Sequence, residues 1–341
     1  MKRKILITGA AGFIGSATVK KLILNGDNVV GIDNLNAYYD VDLKMDRLRE
    51  IETLTNNKKC WNFYKVSIED YQSLFDVFKK FKPQIVINLA AQPGVRYSLI
   101  NPQSYIQSNL VGFGNIIELV KLFNVENFIY ASSSSVYGGN TKLPFQEIDP
   151  VNNPVSLYAA TKRSNELIAH SYSHIYDIPC TCLRFFTVYG PLGRPDMAPM
   201  IFAKSILNNK PIKIFNYGNM SRDFTYIDDI AESVFKCSFK KAIINYLFKN
   251  QKNNNSSSKV AHITLNVGKG KSVNLLKFIE ILESYFEKKA IKDFQPIQPG
   301  DVENTFADTS NLQEWINFTP KISLYEGLNY FAKWYKNYYE I

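Results

Sequence analysis

Lys4-Ile-Leu-Ile-Thr8-Gly9-Ala-Ala-Gly12-Phe-Ile-Gly15 opens the chain, and residues 16–24 continue it with a helical period. The apolar run reads as a buried parallel strand, the glycines as a turn, and the periodic stretch as a helix. Glycines at this spacing permit a tight turn, a close backbone approach to a pyrophosphate, and close helix–strand packing. The free N–H groups and the dipole at the helix N-terminus favour an anion there. Asn28-Val-Val-Gly-Ile32 reads as the second strand, and Asp33 ends it. A carboxylate at that place accepts both ribose hydroxyls of an adenosine and repels a 2′-phosphate. No Arg follows Asp33 directly, so the expected cofactor is NAD rather than NADP.

Strands and helices alternate from there. Strands are expected near 61–66, 84–91, 127–131 and 179–186, and helices over 71–81, within 101–123 and from about 156 to 176. That alternation predicts an α/β fold, a Rossmann-type doubly wound parallel sheet, with a smaller mixed α/β substrate domain at the C-terminal end. The expected boundaries are 1–187 for the dinucleotide-binding domain and 188–341 for most of the second. Segments near 224–240 and 261–268 are expected to return to the first. Asp228 is expected to cap a helix that follows Arg222-Asp-Phe-Thr-Tyr-Ile227. Residues 250–259, rich in Asn and Ser, read as an exposed loop without chemistry. Gln298-Pro-Gly-Asp301 reads as a turn, and the aromatics of the two closing helices read as core.

In doubly wound sheets the ligand binds at the C-terminal ends of the strands. Two stretches fall at such ends: Ala90-Ala91-Gln92, and the run Ser132-Ser-Ser-Ser135 before Val136-Tyr-Gly138. Further on comes Ser156-Leu-Tyr-Ala-Ala-Thr-Lys162. On a helix, Tyr158 and Lys162 share one face. A free phenol is a poor base at neutral pH, and a neighbouring ammonium lowers its pKa. The pair can therefore act as an acid–base device at a sugar hydroxyl. The same spacing also arises by chance. Tyr285 and Lys289 repeat it in a lysine-rich stretch with no glycine loop or serine run nearby.

Composition narrows the classes. Hydrophobic residues make up 45% and charged residues 21% of 341, as in ordinary globular proteins. No apolar run is long enough for a membrane span, and Met1-Lys-Arg-Lys4 leads straight into a strand rather than into a signal peptide. Four cysteines and three histidines match neither a disulfide framework nor a metal pattern, so no metal is expected. A reducing cytoplasm is the expected location. The net charge of +9 is spread over scattered lysines, without a basic run interleaved with aromatics, and no nucleic-acid partner is expected.

Taken together, the glycine loop, Asp33, Asn88-Leu-Ala-Ala91, the serine run and Tyr158/Lys162 resemble the extended short-chain dehydrogenase/reductase family over nearly the whole chain. Within it, four stretches resemble the UDP-glucuronate 4-epimerases. They are Ala90-Ala-Gln-Pro-Gly-Val-Arg-Tyr-Ser98, Pro154-Val-Ser-Leu-Tyr-Ala-Ala-Thr-Lys162, Leu183-Arg-Phe-Phe-Thr-Val-Tyr-Gly-Pro191 with Arg194-Pro-Asp-Met197, and Gln298-Pro-Gly-Asp301. The resemblance implies reversible C4 epimerisation of UDP-glucuronate to UDP-galacturonate with bound NAD. Its rivals are an epimerase of neutral UDP-sugars, a UDP-glucuronate decarboxylase, and a nucleotide-binding scaffold without turnover.

By the same resemblance Ser133, Tyr158 and Lys162 are catalytic. NAD contacts fall to Gly9, Gly12, Phe13, Ile14, Gly15, Asp33, Asn34, Ser67, Ile68, Leu89, Ala90, Ala91 and Asn109, with Tyr158 and Lys162. The UDP-sugar falls to Arg96, Ser134, Ser135, Thr187, Arg194, Asn216, Arg222 and Asp301. Arg222 and Asp301 would hold the uridine diphosphate, Arg222 by bonds to phosphate, and Thr187 with Arg194 the sugar carboxylate. Ser67 departs from the family, which commonly has an aspartate there to meet the adenine amino group. A homodimer through the helices near 101–123 and 156–176 is also implied.

Overall fold

The computed structural model describes residues 2–55, 59–244, 260–298 and 300–341. The low-complexity stretch 250–259 lies outside these residues. The chain begins β1 (Lys4–Thr8), α1 (Phe13–Leu24), β2 (Asn28–Asp33), α2 (Val41–Thr55), β3 (Trp61–Lys65), α3 (Tyr71–Phe81) and β4 (Ile85–Asn88). Two short helices, α4 (Tyr97–Ile100) and α5 (Pro102–Tyr105), lead through a π-helical segment, Ile106–Gly112, into α6 (Phe113–Leu122). Then follow β5 (Asn127–Ser133), α7 (Leu157–Tyr176) and β6 (Cys180–Phe185). The remainder is β7 (Thr187–Tyr189), α8 (Ala198–Leu207), β8 (Pro211–Ile214), β9 (Ser221–Tyr226), α9 (Ile227–Cys237), β10 (His262–Val267), β11 (Ser272–Asn274), α10 (Leu275–Phe286), β12 (Ile291–Phe294), β13 (Asn304–Thr305), α11 (Ser310–Ile316) and α12 (Leu324–Tyr338).

Seven strands form one sheet in the order β10-β6-β5-β4-β1-β2-β3, and every pairing in it is parallel. Side chains alternate between its faces, and both faces are covered. Ile5, Ile7, Val29, Ile85, Ile87, Ile129 and Leu183 pack on one side. Leu6, Val30, Ile32, Val86, Phe128 and Tyr130 pack on the other. This burial of both faces is why the strands read as continuous apolar runs. The sheet reverses at β1, which pairs with β2 on one edge and β4 on the other. A crevice opens at that reversal, above the strands' C-terminal ends.

The second lobe has its own small sheets. β9 pairs with β7, β11 and β13, and β8 pairs with β12. Of the segments near 224–240 and 261–268, β10 joins the seven-stranded sheet and α9 packs against α1, while residues 224–226 belong to β9. The sequence expectation for Asp228 is corrected. Tyr226 is the N-cap of α9, and Asp228 and Asp229 fall in its first turn. Asp229 instead accepts the N–H of Ile322, which ties α9 to the segment before α12. The closing aromatics Trp315, Phe331 and Tyr335 are buried in the main core.

Candidate functional site

The crevice at the sheet reversal is the floor of a cavity of about 980 Å³, lined from the glycine loop to Asp301. That is the upper end for ligand pockets. Gly9 has a φ of +69°, and a Cβ built on it would lie 2.8 Å from the Ala90 nitrogen. At Gly15 a Cβ would come within 1.9 Å of the Gly9 carbonyl. Any side chain at either place would push apart β1, β4 and α1. Gly12 caps α1 without a side-chain hydrogen bond, so the first turn's N–H groups are left to the cavity. Asp33 closes β2, its carboxylate accepting from Ala11 N at 3.2 Å and Leu35 N at 2.8 Å. Lone pairs remain on both oxygens for ribose hydroxyls. Loop, helix end and acid together fit a dinucleotide laid across the crevice.

Ser133, Tyr158 and Lys162 line the same cavity. α7 starts at Leu157 because Ser156 caps it, its Oγ accepting from Ala159 N at 3.1 Å. Such a cap contributes about 1 kcal/mol and sets Tyr158 in the first turn. Lys162 is buried and donates from Nζ to the Ala131 carbonyl at 3.0 Å, and burial brings its pKa down to about 8. Tyr158 differs from the sequence expectation. Burial pushes its hydroxyl above the ordinary value, and the opposing influences are a hydrogen bond with Ser133 and the charge of Arg194. Arg194 is a positive charge that favours the phenolate, and the Lys162 ammonium bonds the Ala131 carbonyl of the strand. The second Tyr-x-x-x-Lys pair does not form at all. α10 ends at Phe286, Glu287 turns left-handed, and Lys289 pairs with Glu283.

A buried ion pair backs the site. One turn beyond Lys162, Glu166 meets Arg184 of β6 through two 2.9 Å bonds and accepts Ser132 Oγ at 2.7 Å. The first of the four serines therefore faces the strand support, while Ser133 caps the turn that carries Ser134 and Ser135.

At the far end, Thr187, Arg194, Arg96, Arg222 and Asp301 all reach the cavity. Arg194 donates to Asp196 through Nε at 3.0 Å and Nη2 at 2.6 Å, and Tyr38 donates to the same carboxylate at 2.9 Å. Burial works against the Arg194 charge, but Asp196 outweighs it and keeps the guanidinium cationic. Arg96 spans to Asp301 at 2.7 Å and lies over the Phe215 ring. Arg222 donates to the carbonyls of Ser221, Val302 and Glu303.

Gly9, Gly12, Phe13, Ile14, Gly15, Asp33, Asn34, Ile68, Leu89, Ala90 and Ala91 also line the cavity, but Ser67, Asn109 and Asn216 do not. Asn109 is buried behind the wall, where it accepts Gln92 N at 2.8 Å and donates to Thr161. Asn216 turns back to the Asn219 carbonyl, and its neighbour Phe215 takes the wall position. Sequence reading passed over Arg47, Tyr38, Asp196 and Glu69. Arg47 is fully buried and donates to Ala11, Leu192 and Tyr39, joining the glycine loop to the turn before Arg194. A lone arginine in a charged helix carries no sequence signal of that kind.

A doubly wound sheet whose second lobe walls the same dinucleotide cavity is the architecture of the extended short-chain dehydrogenases/reductases. The chain belongs to that class, in the family described as GDP-mannose 4,6 dehydratase, which it matches over residues 6–331. It is 50% identical to a Staphylococcus aureus protein named CapI, over 99% of each chain. It is 41% identical to the UDP-glucuronate 4-epimerase of Thermodesulfobacterium geofontis, over 98% of this chain and 97% of that one. The crystal structure of UDP-glucuronic acid 4-epimerase from Bacillus cereus, in complex with UDP-glucuronic acid and NAD, matches with a TM-score of 0.85. Identity to it is 33%, covering 99% of this chain and 100% of that one.

Proposed function

We propose that this protein catalyses reversible C4 epimerisation of UDP-glucuronate to UDP-galacturonate, through a 4-keto sugar, with NAD kept bound. The observation that carries this reading is one continuous cavity. It joins the glycine loop and Asp33 to Ser133, Tyr158 and Lys162, and runs on to Arg194, Arg222 and Asp301. Relatives at 41% and 33% identity bear this activity in their names.

Bound NAD supplies the acceptor for the C4 hydride and returns it. Tyr158 takes the proton of the 4-hydroxyl as that hydride leaves, and Ser133 holds the same oxygen. The keto sugar turns about its diphosphate and accepts the hydride on its opposite face, while Tyr158 gives the proton back. Lys162 holds the nicotinamide ribose. Arg222 and Asp301 hold the uridine diphosphate, Arg222 at the phosphates. Arg194 and Thr187 meet the C5 carboxylate.

The reading extends to a homodimer and to a reducing cytoplasm. Val111, Leu122, Leu167 and Ile175 expose apolar side chains on the helices that would pair. All four cysteines are free and buried. Among the described residues no helix is long and apolar enough to cross a membrane.

The test is to incubate purified protein separately with UDP-glucuronate, UDP-glucose and UDP-N-acetylglucosamine and to resolve the products. UDP-galacturonate from UDP-glucuronate is expected. Turnover confined to the neutral sugars, or UDP-pentose with CO2 as the main product, overturns the proposal in favour of the corresponding rival.

A further inference from the structure

The cofactor end of the cavity contains a carboxylate with no role so far. Glu69 lies just past β3 and lines the cavity beside Val66, Ile68 and Ser108. Ser67 donates its hydroxyl to one Glu69 oxygen, and Ser108 donates to the other. Asn34, next to Asp33, donates to Ser67 Oγ at 3.1 Å. The two serines thus orient the carboxylate, and the Ser67 proton is engaged with it.

Topology says which part of a dinucleotide would arrive there. The glycine loop follows β1, Asp33 ends β2, and β3 is the next strand outward, with Val66 N bonded to the Asp33 carbonyl at 3.1 Å. A pyrophosphate on the loop and a ribose on Asp33 direct the base outward over the end of β3. Val66, Ile68 and Glu69 line the cavity at that end and would receive it. An ionised carboxylate is acceptor-only, with about four lone-pair sites. The serines occupy two of them.

We propose that Glu69 is a cofactor-binding residue that recognises the adenine base by accepting from its exocyclic amino group, with Ser67 and Ser108 as positioning residues. An acceptor-only group matches an amino donor and opposes a base that carries an oxo group at that position. The inference rests on the reading of the cavity as a site for NAD.

The test is a competition. Purified protein is brought to exchange equilibrium with equal excesses of NAD+ and nicotinamide hypoxanthine dinucleotide, in which the 6-amino group is replaced by oxo. Free ligand is removed, the protein is denatured, and the released dinucleotides are quantified. The wild type is expected to hold NAD+ in preference by about tenfold or more, the usual effect of one hydrogen bond to a charged group. Glu69→Gln is expected to bring the ratio close to one, because its amide can present a donor to the oxo group. An unchanged preference in Glu69→Gln, or none in the wild type, overturns the assignment. Should Glu69→Gln hold neither dinucleotide, the double variant Ser67→Asp with Glu69→Gln restores a carboxylate two residues away. Recovered retention and preference support the proposal, and no recovery overturns it. A wild type that releases mainly NADP(H) fails at Asp33 instead, which the competition ratio keeps separate.

Discussion

Tyr158 sits where desolvation opposes the phenolate that the proposed chemistry needs. Positive charge and hydrogen bonding must offset that burial, and Arg194 and Ser133 are the groups in place. Tyr158→Phe keeps the ring and its edge contact with Tyr105 while removing the only atom that exchanges a proton. We expect it to fold, to retain NAD, and to lose about 10²-fold or more of its epimerase turnover. Near-normal product formation by this variant would exclude Tyr158 as the acid–base group. Arg194 raises a second expectation. A 4-keto uronic acid is a β-keto acid, and it loses CO2 when the bond to the carboxylate aligns with the carbonyl π system. A guanidinium holds a carboxylate in plane as well as by charge, and Asp196, which also accepts from Tyr38, takes Nε and Nη2 of Arg194 and fixes its plane, leaving Nη1 toward a substrate. Arg194→His and Thr187→Ala should lower kcat/KM by about tenfold. Both should also raise the share of UDP-pentose and CO2 formed from UDP-glucuronate. Unchanged product ratios in both variants would remove these residues from control of the carboxylate.

α7 delivers Tyr158 and Lys162, and its position depends on Glu166. The Glu166–Arg184 pair is almost fully enclosed, and Ser132 completes it from β5. Three neighbouring elements are thereby pinned beside the strand end that carries Ser133. Burial disfavours the Glu166 carboxylate, but Arg184, Ser132 and Arg163 together outweigh this and bring its pKa from 4.5 to about 2. A carboxyl whose folded-state pKa is depressed stabilises the fold fully above its unfolded value. That contribution is lost as pH falls through the folded value. The window for Glu166 therefore runs from about 4.5 down to about 2. Glu166→Gln leaves a buried guanidinium without its counter-charge and should lower unfolding free energy by about 3 kcal/mol at pH 7. Urea titrations of both proteins at pH 7 and pH 3 check this. The gap should narrow at the lower pH, and equal stability at pH 7 would show that Arg184 finds another partner.

Two lobes share one cavity, and buried or bridging side chains hold their facing loops. Arg47 links the glycine loop to the turn before Arg194, and Arg96 links the β4 side to Asp301. Outside, Val111 and Leu122 lie about three turns apart on one helical track, and Leu167 and Ile175 stand exposed on α7, which packs against α6. Covering these faces with a second copy would bury them in the manner of an obligate interface. Light scattering behind gel filtration should give a dimer for the wild type, and a monomer for Leu167→Glu combined with Ile175→Glu. A monomeric wild type would rule out that interface.

The glycine loop, the acid after β2, the parallel sheet and the turn of α7 that bears Tyr158 were legible from local pattern. Each is set by nearby chain: backbone room at Gly9 and Gly15, a strand end at Asp33, the Ser156 cap at α7. Spacing alone did not separate Tyr158/Lys162 from Tyr285/Lys289, which only the lack of a glycine loop or serine run set apart, because spacing implies a shared face only while the helix continues. At Lys289 the helix has already ended. Nor did pattern locate Glu69, Asp196, Arg47 or the partner of Arg184. Their meaning depends on strands and loops far apart in sequence closing to within hydrogen-bond distance. Where Lys162 points was likewise beyond local reading. The Ala131 carbonyl takes its ammonium at the strand, and burial lowers its pKa. Local sequence settles backbone conformation and burial pattern, whereas the electrostatics of a buried site belong to whichever groups the folded chain encloses together.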